Sequence, residues 1–197
     1  MRVRSLPYNI IMVLLGLLAF AATASAQTTE TGGAAPTAAS GGLEYGTPDP
    51  SLTPVVAGPV AKVQADGLAA APLDAPPEVQ QAIWAANTIV GLPYVYGGGH
   101  RNFRSSGYDC SGTVSFALHG ANLLRSPLDS GSFMRWGLAG PGQWFTVYTN
   151  PGHAFAVIAG LRLDTSAADD PSREQGPRWR PLRSQNGGYT VRHPLRF

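Results

Sequence analysis

Cys110 is the single cysteine of a 197-residue chain, and it is set between Asp109 and the small pair Ser111-Gly112. A thiol becomes a strong nucleophile only as the thiolate, which is favoured where unpaired N–H groups and a partial positive charge gather at a helix start. The residues after Cys110 predict such a helix, because Val114, Ala117, Leu118 and Ala121 recur at helical spacing. Ser111 and Gly112 leave room for a substrate carbonyl, and backbone N–H groups of that first turn are in position to form part of an oxyanion hole. A lone cysteine in an exported chain is otherwise a small buried hydrophobe, but such a residue belongs inside the apolar stripe rather than at the helix mouth.

A cysteine hydrolase also needs a base that pairs with the thiolate and later protonates the leaving amine. The chain has four histidines. His153 follows Asn150-Pro151-Gly152, a turn signal, and opens a strand-like run to Ile158. His119 lies nine positions beyond Cys110 on the same helix, about two and a half turns away and out of reach. His100, in a loop, and His193, near the end, read with His119 as surface or satisfied histidines. A third group must fix the imidazole tautomer. A two-residue turn at Ala159-Gly160 would pair Ile158 with Leu161 and carry Asp164 onto the face of His153; a three-residue turn would bring Thr165 there instead. Asp164 is the preferred partner because it is charged.

The elements that position these groups follow. Val79, Ile83, Ala86 and Val90 mark a first helix, capped by Asp74 or a nearby residue, with Pro76 or Pro77 in its first turn and ending at Gly91. A Tyr- and Gly-rich passage, Leu92 to Gly99, leads toward the cysteine helix. A Ser/Gly/Pro-rich loop from Arg125 to Gly142 follows, readable as a groove wall or as a surface loop packing Phe133, Met134 and Trp136 inward. Strands are expected at 144–148, 153–158, 161–165 and 189–192. Helices first and a meander after them predict an α+β fold, with N-terminal helices packed on a small antiparallel sheet.

Composition sets the remaining bounds. Arg2 and Arg4 precede an apolar run, Ile10 to Ala22, and Ala24-Ser25-Ala26 is a small-residue cleavage site. Residues 1–26 therefore read as a secretory signal peptide, the alternative being a retained anchor. Residues 27–76, rich in Ala, Gly, Pro, Thr and Ser, read as a disordered tether, and 77–197 as the catalytic domain. The tether has five acids and one base, a balance of −4; the domain has eleven Arg and seven acids, a balance of +4. A basic domain suits an anionic polymer such as a cell wall, although ordinary surface charge explains the split equally well. Gly97-Gly98-Gly99 is not a phosphate loop, since no Lys-Ser or Lys-Thr follows on a helix. Asp169-Asp170 has no supporting ligands and reads as a solvated loop, so no metal site is expected.

Together, Leu92-Pro93-Tyr94-Val95-Tyr96-Gly97-Gly98, Asp109-Cys110-Ser111-Gly112 and Gly152-His153 resemble the NlpC-type cell-wall endopeptidases, cysteine peptidases similar in core to papain. The resemblance spans about Val79 to Ser166. It implies a papain-like core, Cys110 as nucleophile, His153 as base, and Tyr94 beside the thiol assisting the oxyanion. It also implies hydrolysis of the amide between D-glutamate and a diamino acid in peptidoglycan stem peptides. The expected partner is thus the stem peptide, with no cofactor, no nucleic acid and no stable membrane insertion after signal cleavage, and the expected location is periplasm, cell wall or outside. The third polar residue of that family is usually His, Asn or Gln, where this chain has Asp164; the strand Ala154-Phe155-Ala156-Val157 also lacks the common Gly. The same triad would serve an amidase or acyltransferase, and a degenerate site would leave a wall-binding module.

Overall fold

A computed structural model describes residues 53–197. The expected signal peptide and most of the expected tether lie outside the described residues. The chain folds as α+β, with strands β1 (Val55–Val56), β2 (Lys62–Val63) and β3 (Ala69–Pro72) ahead of helix α1 (Pro77–Asn87). Helix α2 (Cys110–Gly120) and the short α3 (Ser130–Phe133) follow, then β4 (Leu138–Ala139), β5 (Phe145–Asn150), β6 (His153–Ile158), β7 (Leu161–Asp164), β8 (Arg178–Arg180) and β9 (Thr190–His193). The six later strands form one antiparallel sheet in the order β4-β9-β5-β6-β7-β8.

Alternation along the strands sorts this sheet into two faces. Ala154, Ala156 and Ile158 of β6, Phe145 and Val147 of β5 and Leu163 of β7 join Val79, Ile83, Val114, Ala117 and Leu118 of the helices in one fully buried core. The opposite face carries His153, Phe155, Arg162, Asp164 and Arg180, and all but His153 are nearly or fully buried. Polar groups are covered there because the chain from Thr165 to Tyr189 folds back over them through backbone and arginine contacts.

Two sequence expectations are corrected. Asp74 does not cap α1: the N-cap is Pro76, without a side-chain bond, and Pro77 supplies the fixed φ of the first turn. Within 53–76 the chain is not a loose tether but a three-stranded sheet, β1 parallel and β2 antiparallel to β3. Ala69 and Ala71 are buried in the core, which alanine permits because its small side chain lets β3 approach α1 closely. Asn87 replaces a ladder partner, accepting from the Ala69 amide at 2.9 Å and donating to its carbonyl at 3.0 Å. Among the described residues, no helix is long and apolar enough to cross a membrane.

Candidate active site

Cys110 is the first residue of α2, as its neighbours predict. Asp109 is the N-cap. Its Oδ1 accepts from the Gly112 amide at 2.7 Å, and its Oδ2 accepts from the Gly97 amide at 3.0 Å. The glycines are required by approach: a Cβ on Gly112 would lie 2.0 Å from the Gly98 carbonyl oxygen, and one on Gly98 would lie 2.2 Å from that of Gly107. The passage 97–99 therefore wraps the helix mouth backbone to backbone, which only glycine allows.

The turn at Ala159-Gly160 is the two-residue form, with φ of 46° and 88°, the positive pair that such a hairpin needs. Ile158 pairs with Leu161 and Ala156 with Leu163, so Asp164 and His153 share a face. His153 Nε2–H donates to Asp164 Oδ1 at 2.9 Å. Thr165, the alternative, is buried and reaches Arg180 through its backbone carbonyl. With Nε2 held by Asp164, Nδ1 is the ring nitrogen left for the thiol, and Cys110 at the start of α2 and His153 at the start of β6 are close enough for each to shift the other's titration.

Charge follows from this geometry. Burial pushes the Cys110 thiol up, but the His153 hydrogen bond, the Ala154 amide and the imidazolium charge together outweigh it, and the thiol ends below its usual value; Asp109 opposes them. Burial pushes His153 down, yet Asp164 and Cys110 raise it to about 9. A lowered thiol beside a raised imidazole favours the thiolate–imidazolium pair over the neutral pair. Tyr94 bridges to Tyr108 just ahead of the nucleophile; partial desolvation and the charges of Cys110 and Asp109 raise its hydroxyl above its ordinary value, while its side chain stays exposed. Ser111 is buried, with its hydroxyl on Asp109 at 3.3 Å rather than directed at a substrate.

Asp164 is itself nearly fully buried. Oδ1 accepts from His153 and from the Ser166 amide, each at 2.9 Å. Oδ2 has no hydrogen bond but lies 3.7 Å from both Arg162 Nε and Arg183 NH1. These two cations balance the buried carboxylate without pulling it off the imidazole. Arg180 donates to the Asp164 carbonyl and pairs with Asp170, while Asp169 accepts from Ser184, so Asp169-Asp170 tie loops together and are not simply solvated. Arg183 also lies over Phe155 and Tyr189 and donates to the Tyr189 hydroxyl at 3.2 Å, and the Tyr189 ring meets the His153 ring edge-on. Sequence reasoning passed over these arginines; the signal present was alternation, which puts Arg162 on the face of Asp164.

The other histidines divide. His119 stacks on Phe103 and donates to the Leu124 carbonyl at 3.0 Å, and His193 donates to the Gly140 carbonyl at 3.0 Å, so both are satisfied structural groups. His100 instead stands at the helix mouth. In the loop after α2, Phe133 is fully buried and Asp129 caps α3, so this segment packs inward as well as bordering the sheet. Trp179 is core, donating to Asn87. Among the described residues, no group of His, Cys, Asp and Glu is arranged to hold a metal.

No family model matches the sequence, and no curated relative matches it. Among solved structures the chain is similar to the peptidoglycan hydrolase RipB from Mycobacterium tuberculosis, at 23% identity and a TM-score of 0.45, over 59% of this chain and 64% of that one. It is similar to an NlpC/P60 family protein from Bacillus cereus, at 22% identity and 0.45, over 59% of this chain and 40% of that one. It is also similar to RipD from Mycobacterium tuberculosis, a non-catalytic NlpC/p60 domain protein adapted to peptidoglycan binding, at 20% and 0.44, over 60% and 98%. The match thus spans less than two thirds of the first two of these proteins. Two of the three are described as NlpC/P60 proteins, the family whose motifs the sequence resembles.

Proposed function

We propose that this protein is an exported cysteine peptidase that hydrolyses amide bonds in peptidoglycan stem peptides. Cys110 is the nucleophile, His153 the base and acid, and Asp164 the group that orients the imidazole. The observation that carries the reading is His153, held through Nε2–H by a buried, arginine-balanced Asp164, beside Cys110 at the mouth of α2.

The chemistry follows in two stages. The thiolate attacks the scissile carbonyl, and the oxyanion is met by N–H groups of the α2 first turn and by the Tyr94 hydroxyl. The imidazolium gives its proton to the leaving amine as the C–N bond breaks, which leaves a thioester on Cys110. His153 then takes a proton from water, the hydroxide adds to the thioester, and the thiolate leaves with the carboxylate product released. The Asp164 charge favours the imidazolium in both stages. The bond proposed from the family resemblance is that between D-glutamate and the diamino acid.

The full triad favours the enzyme over a wall-binding module, since a binder has no use for a thiol held below its usual range. Incubation of purified peptidoglycan with the protein is expected to release fragments bearing new amino groups in equal number to new carboxylates, located by mass spectrometry. Cys110→Ser should release none. Intact stem peptides beside a protein that still sediments with the wall would replace the peptidase by a binder, and cleavage at the sugar–peptide junction would replace it by an amidase.

A further inference from the structure

His100 is not accounted for by the triad, yet it is bonded to both sequence neighbours of the nucleophile. Its Nε2–H is shared between Asp109 Oδ1 at 2.9 Å and Ser111 Oγ at 3.1 Å, so one imidazole spans the residues on either side of Cys110. Its side chain is 28% exposed, against 9% for that of Asp109. The ring is therefore open to solvent protons while its partner is enclosed. His100 is delivered there by Gly97-Gly98-Gly99, whose backbone seats on the helix mouth, and its own amide donates to the Gly97 carbonyl.

Asp109 presents a problem that this contact solves. The cap needs a carboxylate or its equivalent to hold the Gly112 and Gly97 amides, but an anion there opposes a thiolate one residue away. We propose that His100 is a positioning residue for the nucleophile, its imidazolium neutralising Asp109 so that the cap is kept without its electrostatic penalty on the Cys110 thiolate. The groups against the ring are Asp109 and Ser111; Arg101 and Arg104, on the same loop, are exposed. The sign is set by placement. Asp109 bears on Cys110 and Tyr94, whereas the charges bearing on His153 are those of Asp164 and Cys110, so a cation on Asp109 acts on the sulfur more than on the imidazole.

The inference rests on Cys110 being the activated nucleophile, and the test separates the two. Alkylation of Cys110 by iodoacetamide is followed at mildly acidic pH in the full chain, with melting temperature as a control. In His100→Gln, whose amide keeps donors for Asp109 and Ser111 but has no charge, the rate is expected to fall by about three- to tenfold. His100→Lys, which restores a cation, should return it toward wild type. With Asp109→Asn, which keeps an N-cap side chain but removes the anion, adding His100→Gln should cost less than twofold. An unchanged rate in His100→Gln, a rate in His100→Lys as low as that of His100→Gln, or an equal loss in both Asp109 backgrounds would overturn the role. A wild-type thiol inert at this pH would instead overturn the nucleophile reading itself.

Discussion

Replacing Asp164 by Asn tests the account where its electrostatics are most exposed. Asn keeps an acceptor for His153 Nε2–H and for the Ser166 amide, the two bonds now made to Oδ1. It removes the charge and turns an amide N–H₂ toward Arg162 and Arg183, each 3.7 Å from Oδ2. His153 stands at about 9 against an ordinary 6.5, a lift of 2.5 (9 − 6.5), or about 3 kcal/mol at 1.36 kcal/mol per unit. That lift is net of burial, which lowers His153, and Asp164 shares the raising with Cys110; since Asn keeps the hydrogen bond, the carboxylate charge alone contributes about 1–2 kcal/mol. Removing it should lower kcat/KM on a soluble stem-peptide fragment by about five- to thirtyfold. The alkaline limb of the pH profile, set by loss of the imidazolium proton near 9, should move down by about one unit. Stability should fall too, by about 3 kcal/mol, since two arginines beneath the sheet lose their shared counter-charge. The assay is kcat/KM from pH 5 to 10 on protein shown to be folded by its melting curve. A folded Asp164→Asn enzyme with the wild-type alkaline limb and activity would refute the reasoning and remove Asp164 from the site.

Cys110→Ala and His153→Ala should each abolish hydrolysis with melting temperatures near wild type, because neither side chain is part of the main apolar core. Gly112→Ala should lower both activity and melting temperature, as its Cβ meets the Gly98 carbonyl oxygen at 2.0 Å and forces the helix mouth to shift; a variant melting and reacting like wild type would contradict the close approach. A chain beginning at Ala75 should lose at least about 2 kcal/mol, because the buried Ala69–Pro72 strand and both Asn87 bonds to Ala69 disappear. An unchanged melting temperature would show that the early strands are dispensable.

The parts of the site legible in the sequence were those governed by local rules. Cys110 at a helix start follows from the cap residue before it and the stripe after it, and His153 from a turn. Asp164 over Thr165 follows from a two-residue hairpin, whose register decides which side chain crosses to the histidine face. What escaped depends on contacts distant in sequence. Strand β3 is three alanines and a proline, with no alternation to mark it, and it is held by the amide of Asn87, eighteen residues on. Arg162 and Arg183 gain their place beside Asp164 only when the chain from 165 to 189 covers that face. His100 read as a loop histidine because only the folded glycine passage brings it onto Asp109 and Ser111.

The most direct measurement is the rate of Cys110 alkylation by a neutral reagent as a function of pH, in wild type and in His153→Ala. An ion-paired thiolate should react at pH 6 far faster than an ordinary thiol, and the His153→Ala thiol should lose that advantage and recover only toward alkaline pH. A wild-type rate that rises only above pH 8, and matches the His153→Ala rate throughout, would contradict an activated cysteine in this protein.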